Sequence, residues 1–123
     1  MTNQTSNSPN GQTKYDLEDR TKKFSSDLII LCKNIHQDAI TRPIIGQLVR
    51  SGTSIGANYC EANETNSKKD FYYKINIAKK EAKETMYWLK IVEDLHHDQN
   101  EIQLLHKEAH EFVLMFSSIL NKK

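Results

Sequence analysis

The stretch FYYKINIAKKEAKETMYWLKIVEDL, residues 71–95, decides the fold. Phe71, Ile75, Ala78, Ala82, Thr85, Leu89 and Val92 recur in alternating steps of four and three. On a helix of about 3.6 residues per turn that spacing puts all seven on one face, the regularity of coiled-coil-like bundle packing. A helix with one apolar face needs partners to cover it, and the flanking sequence supplies them. Ser67, with Asp70 three residues on, resembles a capping box and opens this third helix, which runs to about Leu95.

Upstream, Thr41, Arg42 and Pro43 read as a helix start, because proline is tolerated where the first-turn N–H would be unpaired anyway. Ile45, Leu48, Gly52, Ile55, Tyr59 and Ala62 follow at steps of three and four, making a second helix. Leu17, Phe24, Leu28, Leu31 and Ile35 make a first helix that ends near His36. Downstream, His96 to Asn100 is a polar turn, and Asn100 can cap a fourth helix carrying Ile102, Leu105, Ala109, Phe112, Phe116 and Ile119. Short connections make neighbouring helices antiparallel. The expectation is an all-α fold, an antiparallel up-and-down four-helix bundle over residues 15–123. Residues 1–14, polar with one Pro and one Gly, are too poor in apolar side chains to order themselves and read as a disordered tail.

A chain of 123 residues with 4 Gly and 2 Pro suits one helical domain better than a turn-rich sandwich. Formal net charge is +1, with a pI near 7.8, so any pull on nucleic acid has to be local. The first residues lack the basic start and apolar run of a signal peptide. The longest apolar run, Leu28 to Leu31, is too short for a bilayer. A cytoplasmic protein without a membrane segment is expected. Cys32 and Cys60 are far apart, form no CxxC pair, and read as buried reduced thiols.

Local charge is segregated. Residues 68–90 hold seven Lys and three acids, whereas residues 91–111 hold one Lys and six acids. On the third helix, Lys69, Tyr73, Asn76, Lys80, Lys83, Tyr87 and Lys90 share the face away from the core residues. Lysines for phosphates and tyrosines for bases are the parts of an RNA- or DNA-binding surface, although an ordinary solvated face has the same composition. Ile77, Trp88, Ile91 and Leu95 are apolar beyond the core stripe and point to an oligomer interface.

Catalytic and metal motifs are weak. Gly52-Thr53-Ser54-Ile55-Gly56 fits G-x-S-x-G but lies inside a helical stripe with no parallel-sheet pattern, so its glycines and Ala57 read as sites of close helix approach. His106 and His110 sit one turn apart, with His96 and His97 near the adjacent turn, yet the spacing is not HExxH and His106 faces about Glu93. No metal, cofactor, small-molecule substrate or catalytic residue is expected. Arg50, Ser54, Asn58 and Glu61 step down one side of the second helix and suggest a hydrogen-bonded network that fixes register or subunit docking.

The run Arg50 to Glu61, followed by Phe71 to Ala78 and Glu84, resembles the four-helix-bundle family encoded in intervening sequences of bacterial 23S ribosomal RNA genes. The likeness covers about residues 15–121 and rests on Ser54, Ile55, Asn58, Glu61, Phe71, Ala78 and Glu84. The glycine that usually follows the Glu is Ala62 here, and a usual Gly-Ser pair is Lys80-Glu81. The resemblance implies an up-down bundle that assembles into a homopentamer, with activity undefined for most members. The expected function is therefore a non-enzymatic, self-assembling scaffold or adaptor. The alternative is an RNA- or DNA-binding module using the basic, Tyr-interleaved face of the third helix.

Overall fold

A computed structural model describes residues 14–96 and 99–122 and contains four helices: α1 (Lys14–Lys33), α2 (Thr41–Asn63), α3 (Lys68–Glu93) and α4 (Gln99–Leu120). Consecutive helices pack side by side as the expected antiparallel bundle, and the seam between α1 and α4 is the most open. Residues 1–13 of the expected tail, and His97, lie outside the described residues; Lys14 already belongs to α1. No helix among the described residues is long and apolar enough to cross a membrane.

The heptad reading of α3 holds in three dimensions. Ile75, Ala78, Ala82, Thr85, Leu89 and Val92 are buried, and Phe71 is half-buried at the end of the stripe. They meet Leu17, Phe24, Leu28, Leu31 and Ile35 of α1 and its C-terminal turn, Leu48, Ile55 and Tyr59 of α2, and Ile102, Leu105, Phe112 and Phe116 of α4 in one core. Phe112 anchors the α1–α4 side. Its ring meets Phe24 edge-on at 5.5 Å, stacks toward Phe116 at 6.4 Å, and lies 5.6 Å below the Arg20 guanidinium.

The helix ends differ in detail from the sequence expectation. α1 stops at Lys33, before His36, yet Ile35 remains buried because Asn34 and Ile35 donate back to the carbonyls of Leu31 and Cys32. At the start of α2 the working cap is Asp38, whose Oδ1 accepts the N–H groups of Ile40 and Thr41, both at 2.9 Å. Those bonds hold the Asp38 carboxyl below its ordinary value. Ser67 does cap α3: in extended conformation, its Oγ accepts the Asp70 N–H at 3.2 Å. Asn100, expected as the cap of α4, already lies inside that helix.

Gly52 and Gly56 do allow close approach, both toward α1. A Cβ on Gly52 would fall 2.1 Å from Leu28 Cδ2, and one on Gly56 would fall 2.8 Å from Thr21 Oγ1. Ala57, grouped with them, is exposed. The two cysteines part company. Cys32 is buried, and burial pushes its thiol up to about 11, whereas Cys60 is exposed on α2 because its position turns out from the core stripe.

Candidate functional site

α3 has three faces, and two of them are candidates for function. The outer face carries Lys69, Tyr73, Asn76, Lys80, Lys83, Tyr87 and Lys90, and every one of them is exposed. A rise of 1.5 Å per residue spreads this line over roughly 30 Å. Among the described residues Lys69, Lys80 and Lys83 enter no ion pair, so their charges face water. Lys90 differs, with its Nζ 3.6 Å from a Glu93 carboxylate oxygen. Glu93 also accepts from Gln103 of α4, and with Lys90 this keeps its carboxyl below the ordinary value.

The flank of α3 beside α2 carries Ile77, Glu81, Glu84, Trp88, Ile91 and Leu95. Trp88 packs on the margin of the core, so it is less free than the sequence suggested. Ile77 and Ile91 are half-buried without joining the core, and Leu95 is 49% exposed. Ile40, at the same end of the bundle, is 75% exposed.

Between the two helices Arg50 is the hub. Its guanidinium pairs with Glu84 and donates to Glu81 at 3.2 Å and to the Gln47 side chain at 3.0 Å. Glu84 also accepts the Trp88 indole N–H at 2.9 Å. The other members of the expected polar stripe do not join this hub. Ser54 and Asn58 donate to carbonyls of their own helix, those of Arg50 and Ser54, and Glu61 pairs with Lys74 at 2.7 Å. The stripe is thus two cross-helix links, Arg50–Glu84 and Glu61–Lys74, joined by back-bonded residues. Ser54, sitting mid-helix, has none of the strand-to-helix geometry of a nucleophile elbow.

Deeper between α2 and α3, Thr85 Oγ1 lies 3.0 Å from Ser51 Oγ, and both side chains are fully buried. Each hydroxyl also has a backbone carbonyl in reach, Glu81 for Thr85 and Leu48 for Ser51, so neither is orphaned. Sequence reasoning counted Thr85 as core but missed Ser51 and its link to it. Thr21, also buried, occupied a gap of the right spacing between Leu17 and Phe24, a signal that was available. The Arg20–Glu108 fork across the α1–α4 seam, with Nε donating at 3.0 Å, had no local signal, since its partners are 88 positions apart.

The Trp88 and Arg50 donors lower the Glu84 carboxyl below its ordinary value. A depressed carboxyl stabilises the fold above its unfolded value and loses that contribution as pH falls through its folded value. Glu84 is about a third exposed, so water screening keeps the effect below about 1 kcal/mol. Urea midpoints of Glu84→Gln are expected to fall below wild type at pH 7 and to converge with it toward pH 3. A gap that persists in acid would mean that Glu84 acts by packing and not by charge.

The histidines are scattered. His106 is half-buried on α4, and burial, with Lys90 next, lowers its titration. His110 is exposed and His96 half-buried. Among the described residues no three His, Cys, Asp or Glu side chains converge on a point where a metal ion could sit.

A family model described as 23S rRNA-intervening sequence protein matches residues 13–118. Among solved structures, the chain is similar to the crystal structure of a protein with unknown function from the S23 ribosomal protein family of Bacteroides thetaiotaomicron VPI-5482. The identity is 32% and the TM-score 0.77, over 85% of this chain and 97% of that one. No curated protein matches.

Proposed function

We propose that this chain, which belongs to the 23S rRNA-intervening sequence protein family, is a non-enzymatic cytoplasmic scaffold that self-assembles into a homopentamer and needs no cofactor or small-molecule substrate. The observation that supports assembly is the apolar flank of α3 beside α2. Ile77, Ile91 and Leu95 make no part of the core, and Ile40 projects at the end of the bundle where Leu95 lies. Their burial between subunits is worth about 25 cal/mol per Å² of apolar surface, and Trp88 would extend the patch. The Arg50–Glu84–Trp88 hub borders it and holds the indole ring in one orientation.

Ile91→Glu with Leu95→Glu tests this reading. Neither residue packs on the core, so far-UV circular dichroism is expected to stay unchanged while light scattering shows the mass falling to that of one 14.3 kDa chain. An assembly of unaltered mass in the double variant would place the interface elsewhere.

The outer face of α3 favours a second reading, an RNA- or DNA-binding module. Its support is the line of exposed lysines and tyrosines, three of whose lysines are unpaired among the described residues. Each lysine that neutralises a phosphate releases counterions, so the affinity for single-stranded RNA is expected to fall steeply with salt. Lys80→Glu with Lys83→Glu is expected to abolish most of it in fluorescence anisotropy at low salt. Binding unchanged in that variant would remove this face as the site.

A further inference from the structure

We infer that the cavity between the start of α3 and the end of α4 is a seat for a single nucleobase of a single-stranded RNA or DNA whose phosphates run along the α3 lysines. This inference deepens the second functional reading and rests on it. The cavity has a volume of about 440 Å³ and is lined by Lys69, Tyr72, Tyr73, Asn76 and Leu120. Each lining group matches a part of a nucleotide.

Tyr72 and Tyr73 supply aromatic faces for stacking, which every base accepts. Tyr72 is pre-positioned. It is half-buried, and its ring meets that of Phe71 edge-on at 5.2 Å. Leu120, half-buried against the core at the end of α4, gives an apolar wall on the other side. Asn76 is exposed and carries both a donor and an acceptor at the cavity's edge, the pair that reads a base edge. Lys69 brings a positive charge in the first turn of α3, where the helix dipole also favours an anion. Asp70, the acidic residue of that turn, does not line the cavity.

Position makes this cavity more than a surface dimple. It lies at one end of the basic line, and Lys80 and Lys83 follow Asn76 on the same exposed face, with a rise of roughly 10 Å from Asn76 to Lys83. A base held at the cavity therefore delivers the next phosphates to lysines that no carboxylate occupies among the described residues. A charged face alone would bind any polyanion equally. A seated base makes binding depend on the presence of bases.

The full chain is titrated with two labelled probes, a single-stranded RNA and the same ribose-phosphate chain without bases. The RNA is expected to bind at least tenfold tighter. Tyr73→Ala is expected to weaken RNA roughly tenfold, to leave the abasic chain unaffected and to keep the salt slope of wild type, because no phosphate contact is lost. Tyr73→Phe, which keeps the stacking face, should restore RNA binding, and Asn76→Ala should reduce the difference in affinity between homopolymers of different base. Equal binding of the two probes, or a Tyr73→Ala variant that binds RNA as wild type does, overturns the base seat while the lysine face stands. No RNA binding at all overturns both.

Discussion

Phe112→Ala is expected to lower stability by about 3–5 kcal/mol, the range for deleting a fully buried aromatic ring. The ring is 0% exposed and is held by four groups: Phe24 edge-on, Phe116 stacked alongside, the Arg20 guanidinium above it, and the rest of the core. Removing it empties the region where α1 and α4 pack most lightly. It also strips Arg20 of its ring contact while leaving the fork to Glu108. For a domain of this size, that loss corresponds to a melting point lower by roughly 12–20 °C. A drop below about 1 kcal/mol would mean that the α1–α4 seam collapses freely around the missing ring, and that Phe112 does not anchor the bundle.

Gly56→Leu is expected to destabilise by about 2–3 kcal/mol, although leucine favours a helix over glycine by nearly 1 kcal/mol. Steric conflict outweighs propensity here. A Cβ at this position meets Thr21 Oγ1 at 2.8 Å and Thr21 Cβ at 3.0 Å. Thr21 is β-branched and buried, and its hydroxyl lies 2.9 Å from the Leu17 carbonyl, so it has little room to turn away. Gly46 provides the control, since its Cβ would meet nothing within 4 Å on an exposed face of the same helix. Gly46→Ala is expected to stabilise by about 0.5–1 kcal/mol. Chemical denaturation of both variants reads the opposite signs directly. Two gains of similar size would show that α1 does not rest on α2 at Gly56.

The helices were legible because their information is local. An apolar stripe at steps of three and four depends only on neighbours in the chain, so Ile75 to Val92 and Ile102 to Phe116 were assigned to the core correctly. The caps were harder. Asp38 sits ahead of its helix and works through a turn, whereas the start signal in the sequence is Pro43, five residues on. Cys60 lies within the apolar pattern of α2, yet one position along a helix from buried Tyr59 is a rotation of about 100° and brings it to the surface.

The candidate surfaces were legible in part for the same reason. The outer line of α3 shares one helix face, and all seven of its members are exposed together. Arg50, Ser54, Asn58 and Glu61 also share a face, but Arg50 and Glu61 find their partners on α3, which spacing along α2 does not show, while Ser54 and Asn58 bond back to carbonyls of α2 itself. The structure therefore replaces one expected network with two separate links, and pairs Arg50 with Glu81 and Glu84. The buried Ser51–Thr85 hydroxyl pair leaves no local signal either, because its hydrogen bond joins two helices across 34 positions.

The scaffold reading and the nucleic-acid reading use different faces of α3, so both can operate in one assembly. A ring of subunits would bury the flank beside α2 and repeat the lysine line on each copy. Assembly is the central claim of the scaffold reading. Size-exclusion chromatography with light scattering on the wild-type chain at micromolar concentration tests it most directly. A single species at five times the 14.3 kDa chain mass is the predicted result, and a monomer of 14.3 kDa would contradict it.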